Sequence, residues 1–135
     1  MTLVIDASVA FKWFVQEEGT ERALVLLERD EPVVAPDLVV AEVANAAWKS
    51  LRRRELSTLQ FDRILSDVAQ PFSRLVPLNQ LIRPAAALTR QLDHPIYDCL
   101  YLALADAEGV PVITADQRLL DAVRGTRLAS RVSRL

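Results

Sequence analysis

The feature that most restricts the fold of this chain is an alternation. Short apolar segments at residues 3–5, 33–35, 75–78 and 112–113 are separated by longer stretches with helical periodicity. A strand apolar on both faces belongs in a sheet covered on both sides, and helices between such strands make the pairing parallel. The expected fold is a three-layer α/β/α sandwich around a central, mostly parallel sheet of four or five short strands, the fifth near 128–132. The 135 residues suffice for one domain, 1–135, with a core of its own. In such sheets ligands bind beyond the carboxyl ends of the strands.

Acids stand at that edge. "LVIDAS" runs from an apolar strand into Asp6, and "VPVITADQ" leads through Thr114 to Asp116. A buried charge needs a partner or an ion. Two further acids interrupt apolar helices: Glu42 lies between Val40, Ala41 and Val43, Ala44, and Asp98 breaks "PIYDCLYLALA". Each has a separate, purely structural explanation. Asp6 and Asp116 suit helix caps, Glu42 suits a pair with an Arg on a neighbouring helix, and Asp98 gains from a helix dipole. Jointly, four carboxylates in one pocket stay ionised only around a cation. An all-oxygen set favours Mg²⁺ or Mn²⁺ over zinc. The implied chemistry is attack of metal-activated water on a phosphodiester or another phosphate ester.

The helical stretches have readable ends. Ser8 is placed as the N-cap of a helix running to about residue 15, and a helix over 20–29 is expected to bury Leu24 and Leu27. Asp37 suits the N-cap of a helix over 38–54 with Val39, Val43, Ala46 and Ala47 inward. Ser57 and Gln60 form a capping-box pattern ahead of Phe61, Ile64, Leu65 and Val68. Pro84 and Pro95 are read as first-turn prolines, and Gly109 as a C-terminal stop.

Other chemistries lack their residues. His94 is the only histidine, which excludes a two-histidine ribonuclease, and its place before Pro95 suggests a cap. Three glycines, Gly19, Gly109 and Gly125, make no phosphate loop. Cys99 is the only cysteine, so no internal disulfide is possible; with no basic-then-apolar leader, a cytoplasmic location is expected. No apolar run nears the ~18 residues of a membrane span. The net charge of −2 argues against a general nucleic-acid binder, although the basic residues are mostly Arg, which suits phosphate partners. "SVAFKWFV", with Phe11, Trp13 and Phe14, is read as core. A receiver- or dehalogenase-type phosphate-transfer domain also places an Asp after its first strand. The dehalogenase type wants a second Asp where Ser8 stands, and the receiver a late Lys where this chain has only Lys12 and Lys49.

With these residues in place, the chain resembles the PIN-domain ribonucleases, and among them the VapC toxins of toxin–antitoxin pairs. "LVIDASVAFKWF", "PDLVVAEVANAAWK", "HPIYDCLYLALA" and "VPVITADQRLL" resemble the family's four acidic segments, in order and over nearly the whole length. The resemblance implies that Asp6, Glu42, Asp98 and Asp116 are catalytic and bind metal, Mg²⁺ or Mn²⁺, with Ser8 and Thr114 as supporting hydroxyls. It implies cleavage of RNA leaving a 5′-phosphate and a 3′-hydroxyl, a homodimer, and a small VapB-like antitoxin as partner. The competing reading within the family is a catalytically silent binding module.

Overall fold

Three consecutive buried residues make β1 (Leu3–Ile5) a strand covered on both faces in the computed structural model, which describes residues 1–135. β2 (Val33–Pro36) and β4 (Val112–Thr114) are likewise wholly buried. β3 (Arg74–Val76) and β5 (Val132–Arg134) each carry an exposed arginine and form the sheet edges. The order is β3-β2-β1-β4-β5, with every neighbouring pair parallel.

The helices are α1 (Ala7–Ala10), continued by a 3₁₀ turn at Phe11–Trp13, α2 (Thr20–Glu28), α3 (Leu38–Arg52), α4 (Thr58–Asp67), α5 (Leu78–Leu92), α6 (Ile96–Glu108) and α7 (Gln117–Val123). The chain steps one way from β1 to β3, then crosses back to β4 and continues to β5. Right-handed crossovers therefore put α1–α4 on one face and α5–α7 on the other. Packing agrees: α1 meets α3, α3 meets α4, and α5 lies along α6. The direction reverses between β1 and β4, which lie side by side with Ile5 paired to Ile113. That switch point is where an open parallel sheet leaves a crevice, and Asp6 follows β1 directly into it.

Several local expectations change. Ser8 is not a cap: Asp6 holds the N-cap position of α1, which turns 3₁₀ after four residues. Asp37 does sit at the start of α3, but its side chain accepts from the Leu78 amide at the start of α5 instead of capping its own helix. On α2 the buried face is Thr20, Ala23 and Leu26, leaving Leu24 40% and Leu27 39% exposed. The preceding turn sets this rotation. The Trp13 indole N–H donates to the Ala23 carbonyl at 2.8 Å, and the Thr20 hydroxyl donates to the Val15 carbonyl at 2.9 Å.

α5 begins at Leu78, so Pro84 lies inside the helix. Pro84 is on the exposed face, where the carbonyl it leaves without a donor meets water. Residues 127–131 form a 3₁₀ turn instead of a strand, capped by the Thr126 hydroxyl, and β5 starts only afterwards. The Ser57 capping box is present with both hydrogen bonds, and Gly109 ends α6 at φ 67°, a left-handed conformation that suits glycine. Phe11 is buried, Trp13 and Phe14 pack against the core, and Cys99 is buried. No helix is long and apolar enough to cross a membrane.

Candidate active site

Asp6 is only 5% exposed, and its carboxylate is held by hydroxyls, with no cation paired to it. Thr114 donates to Oδ2 at 2.7 Å and Ser8 donates to the same oxygen at 2.9 Å. Both hydroxyls are fixed in turn by backbone amides beyond β4: Ala115 N–H donates to Ser8 Oγ at 3.1 Å, and Asp116 N–H to Thr114 Oγ1 at 3.0 Å. Two relays from one loop therefore converge on one carboxylate oxygen. No side-chain donor reaches Oδ1. Burial pushes the Asp6 carboxyl up; the Thr114 and Ser8 bonds oppose that rise, and Asp98 adds to it.

Glu42 projects from α3 half-buried, and the Tyr101 hydroxyl donates to its Oε1 at 2.6 Å. Burial raises the Glu42 carboxyl, Tyr101 pulls it back, and Asp6 and Asp98 push it further up. Tyr101 is fully buried on α6, and its phenol is raised well above normal by burial, then by Glu42 and Asp6. It therefore stays a neutral donor at any ordinary pH. Asp98 lies in the first turn of the same helix, where its Oδ2 pairs with His94 Nε2 at 2.7 Å. His94 is thus a partner of an acid and not a backbone cap.

Asp116 plays two parts at once. It caps α7, Oδ1 accepting from the Arg118 amide at 2.9 Å, and it takes the Arg118 guanidinium at 3.3 Å and 3.1 Å. Burial acts against ionisation here, yet the Arg118 bonds, with His94 behind them, bring the carboxyl below its usual range.

Asp6, Glu42 and Asp98 thus bear on one another electrostatically, while Asp116 is turned to Arg118. No three acidic, histidine or cysteine side chains are gathered closely enough to hold an ion as they stand. That is the arrangement expected of like charges, each drawn to its nearest donor. The donor set still fits a hard divalent cation. It offers carboxylate oxygens only, and Asp6 is fixed on one oxygen with the other unbonded by side chains.

Two clefts flank Glu42. One, about 570 Å³, is lined by Ser8, Lys12, Glu42, Asn45, Lys49 and Asp116 among others. The other, about 610 Å³, is lined by Glu42, His94, Pro95, Tyr97, Asp98 and Arg118. Sequence reasoning overlooked Tyr101, Lys49 and the parts played by His94 and Arg118. Their signal was helical spacing: Glu42, Asn45 and Lys49 recur at i, i+3 and i+7, and Asp98 and Tyr101 at i and i+3. Arg52–Arg54 lie at the far end of α3, with Arg52 stacked 4.9 Å from the Trp48 ring.

Comparison with known proteins agrees with the geometry. The model of the PIN domain family matches residues 3–125. Ribonuclease VapC3 of Pyrobaculum aerophilum is 31% identical over 90% of this chain and 94% of its own. Ribonuclease VapC1 of Mycobacterium tuberculosis is 30% identical over 86% of each. A solved toxin-antitoxin complex from Klebsiella pneumoniae contains a chain of the same fold, with TM-score 0.64 at 14% identity, covering 98% of this chain and 96% of that one.

Proposed function

The chain belongs to the PIN domain family, and on that footing we propose that it is a metal-dependent endoribonuclease of the VapC toxin type. Residues 1–135 act as one nuclease domain, and the protein hydrolyses RNA phosphodiesters at the edge where β1 and β4 end. The observation that carries this reading is the pairing of Asp6 and Glu42. Asp6 is buried and Glu42 half-buried, burial raises both carboxyls and Asp98 pushes both further up, yet their side-chain donors are hydroxyls and neither has an Arg or Lys partner. A purely structural acid at such a position is ordinarily paired with a cation.

Asp6, Glu42, Asp98 and Asp116 are the residues that would hold a divalent ion, Mg²⁺ or Mn²⁺. When bound, such an ion neutralises developing charge on the phosphate oxygens and acidifies water. Ser8 and Thr114 fix the rotamer of Asp6, and Tyr101 fixes Glu42. Tyr101 engages only Oε1 of Glu42, so Oε2, free of side-chain donors, would take the proton of the attacking water. Water oxygen bonds to phosphorus, the bond to the 3′-oxygen breaks, and that oxygen is protonated, leaving a 5′-phosphate and a 3′-hydroxyl. Lys49, in an exposed position of the Glu42 cleft and without an ion pair, meets the backbone phosphates. A small antitoxin covers the acidic edge and keeps the enzyme silent, and the active unit is a homodimer in the cytoplasm.

The test is cleavage of a 5′-labelled single-stranded RNA by metal-stripped protein. Cutting should be absent with EDTA and return with Mn²⁺ or Mg²⁺, with products ending in a 3′-hydroxyl. Cutting that persists in EDTA, or products with a cyclic phosphate, would remove the mechanism. Tight RNA binding without hydrolysis under any metal would favour the silent module.

A further inference from the structure

The two clefts beside Glu42 differ in chemistry, and the difference assigns them different parts of a nucleotide. Beside the carboxylates of Glu17, Glu42 and Asp116, the Lys49 cleft presents ammonium and amide groups from Lys12, Asn45 and Lys49 and no exposed aromatic ring. Lys12 is already engaged by Glu17 at 3.0 Å and the Glu18 carbonyl at 2.7 Å, which leaves Lys49 as the open cation. An ammonium on a flexible stem meets phosphate as a point charge and reads no base. The opposite cleft presents planar groups: the His94 imidazole, the Tyr97 ring and the Arg118 guanidinium, with Pro95 beside them.

Tyr97 is the outlier in its helix. Residues Cys99–Ala105 of α6 are all buried, while Tyr97 is 59% exposed, one residue before Asp98. Its apolar ring contributes little to the core where it stands. Arg118 has a side chain 84% exposed, and its contacts with Asp116 use Nε and Nη2 only, so Nη1 is free to face the cleft. An exposed aromatic ring and a guanidinium beside a carboxylate site are the groups that stack on and hydrogen-bond to unpaired bases.

We propose that this cleft is a base subsite, in which the base next to the cleaved phosphodiester stacks on Tyr97 with Arg118 at its edge. The inference rests on the ribonuclease reading and adds to it a place where base preference arises. The Lys49 cleft carries the other side of the strand by its phosphates alone. The substrate is then single-stranded RNA with one unstacked base at the cut, because a base held in a duplex cannot reach the ring.

The experiment measures steady-state cleavage of a short RNA and of a set in which one position at a time is abasic. It uses the wild type, Tyr97→Ala, Tyr97→Phe and Lys49→Ala. With the wild type, one abasic position beside the cut should raise KM by about tenfold, within the range stacking on one base supplies. Tyr97→Ala should raise KM for the intact RNA by a similar factor and lose sensitivity at that position. Tyr97→Phe, which keeps the ring, should restore both. Lys49→Ala should weaken every RNA alike and lower the salt slope of binding by about 0.7, leaving the abasic pattern in place.

The subsite is overturned if Tyr97→Ala keeps the wild-type abasic pattern, or if Tyr97→Phe is as impaired as Tyr97→Ala. If the wild type cuts none of the RNAs with Mn²⁺ present, the ribonuclease reading itself fails and the subsite falls with it. Tyr97 is exposed, so both variants should fold, and an unchanged melting temperature checks this.

Discussion

The strand half and the helix half of the candidate site are built differently. Asp6 and Thr114 come from adjacent β-strands whose register is fixed by Ile5 opposite Ile113, and two backbone amides lock the hydroxyls that hold Asp6. Glu42 and Asp98 come from α3 and α6 and Asp116 from the cap of α7, and each has its own nearby partner: Tyr101, His94 and Arg118. The strand half is tied down because the amides of Ala115 and Asp116, just beyond β4, hold both hydroxyls that hold Asp6. The helix half is a set of side chains that can exchange partners without unfolding anything. On the proposed mechanism, the first half would set the position of the chemistry and the second would adapt to ligand.

The comparison is broken most severely by Asp6→Asn. Losing the central carboxylate should cost several kcal/mol of transition-state stabilisation, about a thousandfold in RNA cleavage. The same change removes a buried charge and its repulsion with Asp98. The metal-free variant should therefore melt higher than the wild type, by about 4 °C for roughly 1 kcal/mol. Calorimetry that finds Asp6→Asn less stable without metal would mean the carboxylate is there for the fold.

Thr114→Val comes next. It removes the shorter of the two hydroxyl bonds to Asp6 and leaves the Asp116 amide without its acceptor. Unsatisfied buried groups of this kind cost about 1–3 kcal/mol, and loss of a supporting bond typically lowers metal affinity or activity by about 10- to 100-fold. Denaturant melts and Mn²⁺ titration read the two effects separately. On the helix side, Tyr101→Phe fills the same buried space and deletes only the bond to Glu42. The expected loss is about tenfold in kcat with little change in KM for RNA, and an unaltered kcat would show that Glu42 needs no positioning.

Arg118→Ala sits at the bottom of the order for the chemical step. The pair is exposed on the arginine side, and pairs of that kind contribute about 1 kcal/mol or less. The α7 cap survives, since Asp116 still accepts from the backbone amide at position 118. kcat should fall by about threefold or less, so a thousandfold loss would make Arg118 part of the chemistry and erase the distinction between the halves.

The legibility of the sequence divides along the same line. The strand half is directly legible, because strands end abruptly and an acid straight after "LVI" has one place to go. The parallel sheet, a site at its carboxyl edge, and Asp6 and Asp116 as candidates follow from that, whereas Glu42 and Asp98 stand out as acids inside apolar helices. The helices were harder, because a helix can rotate. The helical spacing predicts Leu24 and Leu27 inward, but the Trp13 and Thr20 hydrogen bonds turn Ala23 and Leu26 to the core instead. α5 ran through Pro84 because proline is tolerated on an exposed face. Tyr101 was hidden because a tyrosine inside an apolar helix looks like packing until an acid from another helix meets its hydroxyl. His94, too, was judged by the proline after it and not by Asp98 four residues on.

In the proposed mechanism the four acids together hold a divalent cation, and Asp6 is the carboxylate they converge on. Isothermal titration of Mn²⁺ into metal-stripped wild type and into Asp6→Asn, with both proteins shown to be folded, tests it most directly. The wild type should show a saturable binding heat that is absent or weakened by at least about tenfold in Asp6→Asn. Equal Mn²⁺ binding by both proteins, or none by the wild type, would contradict it.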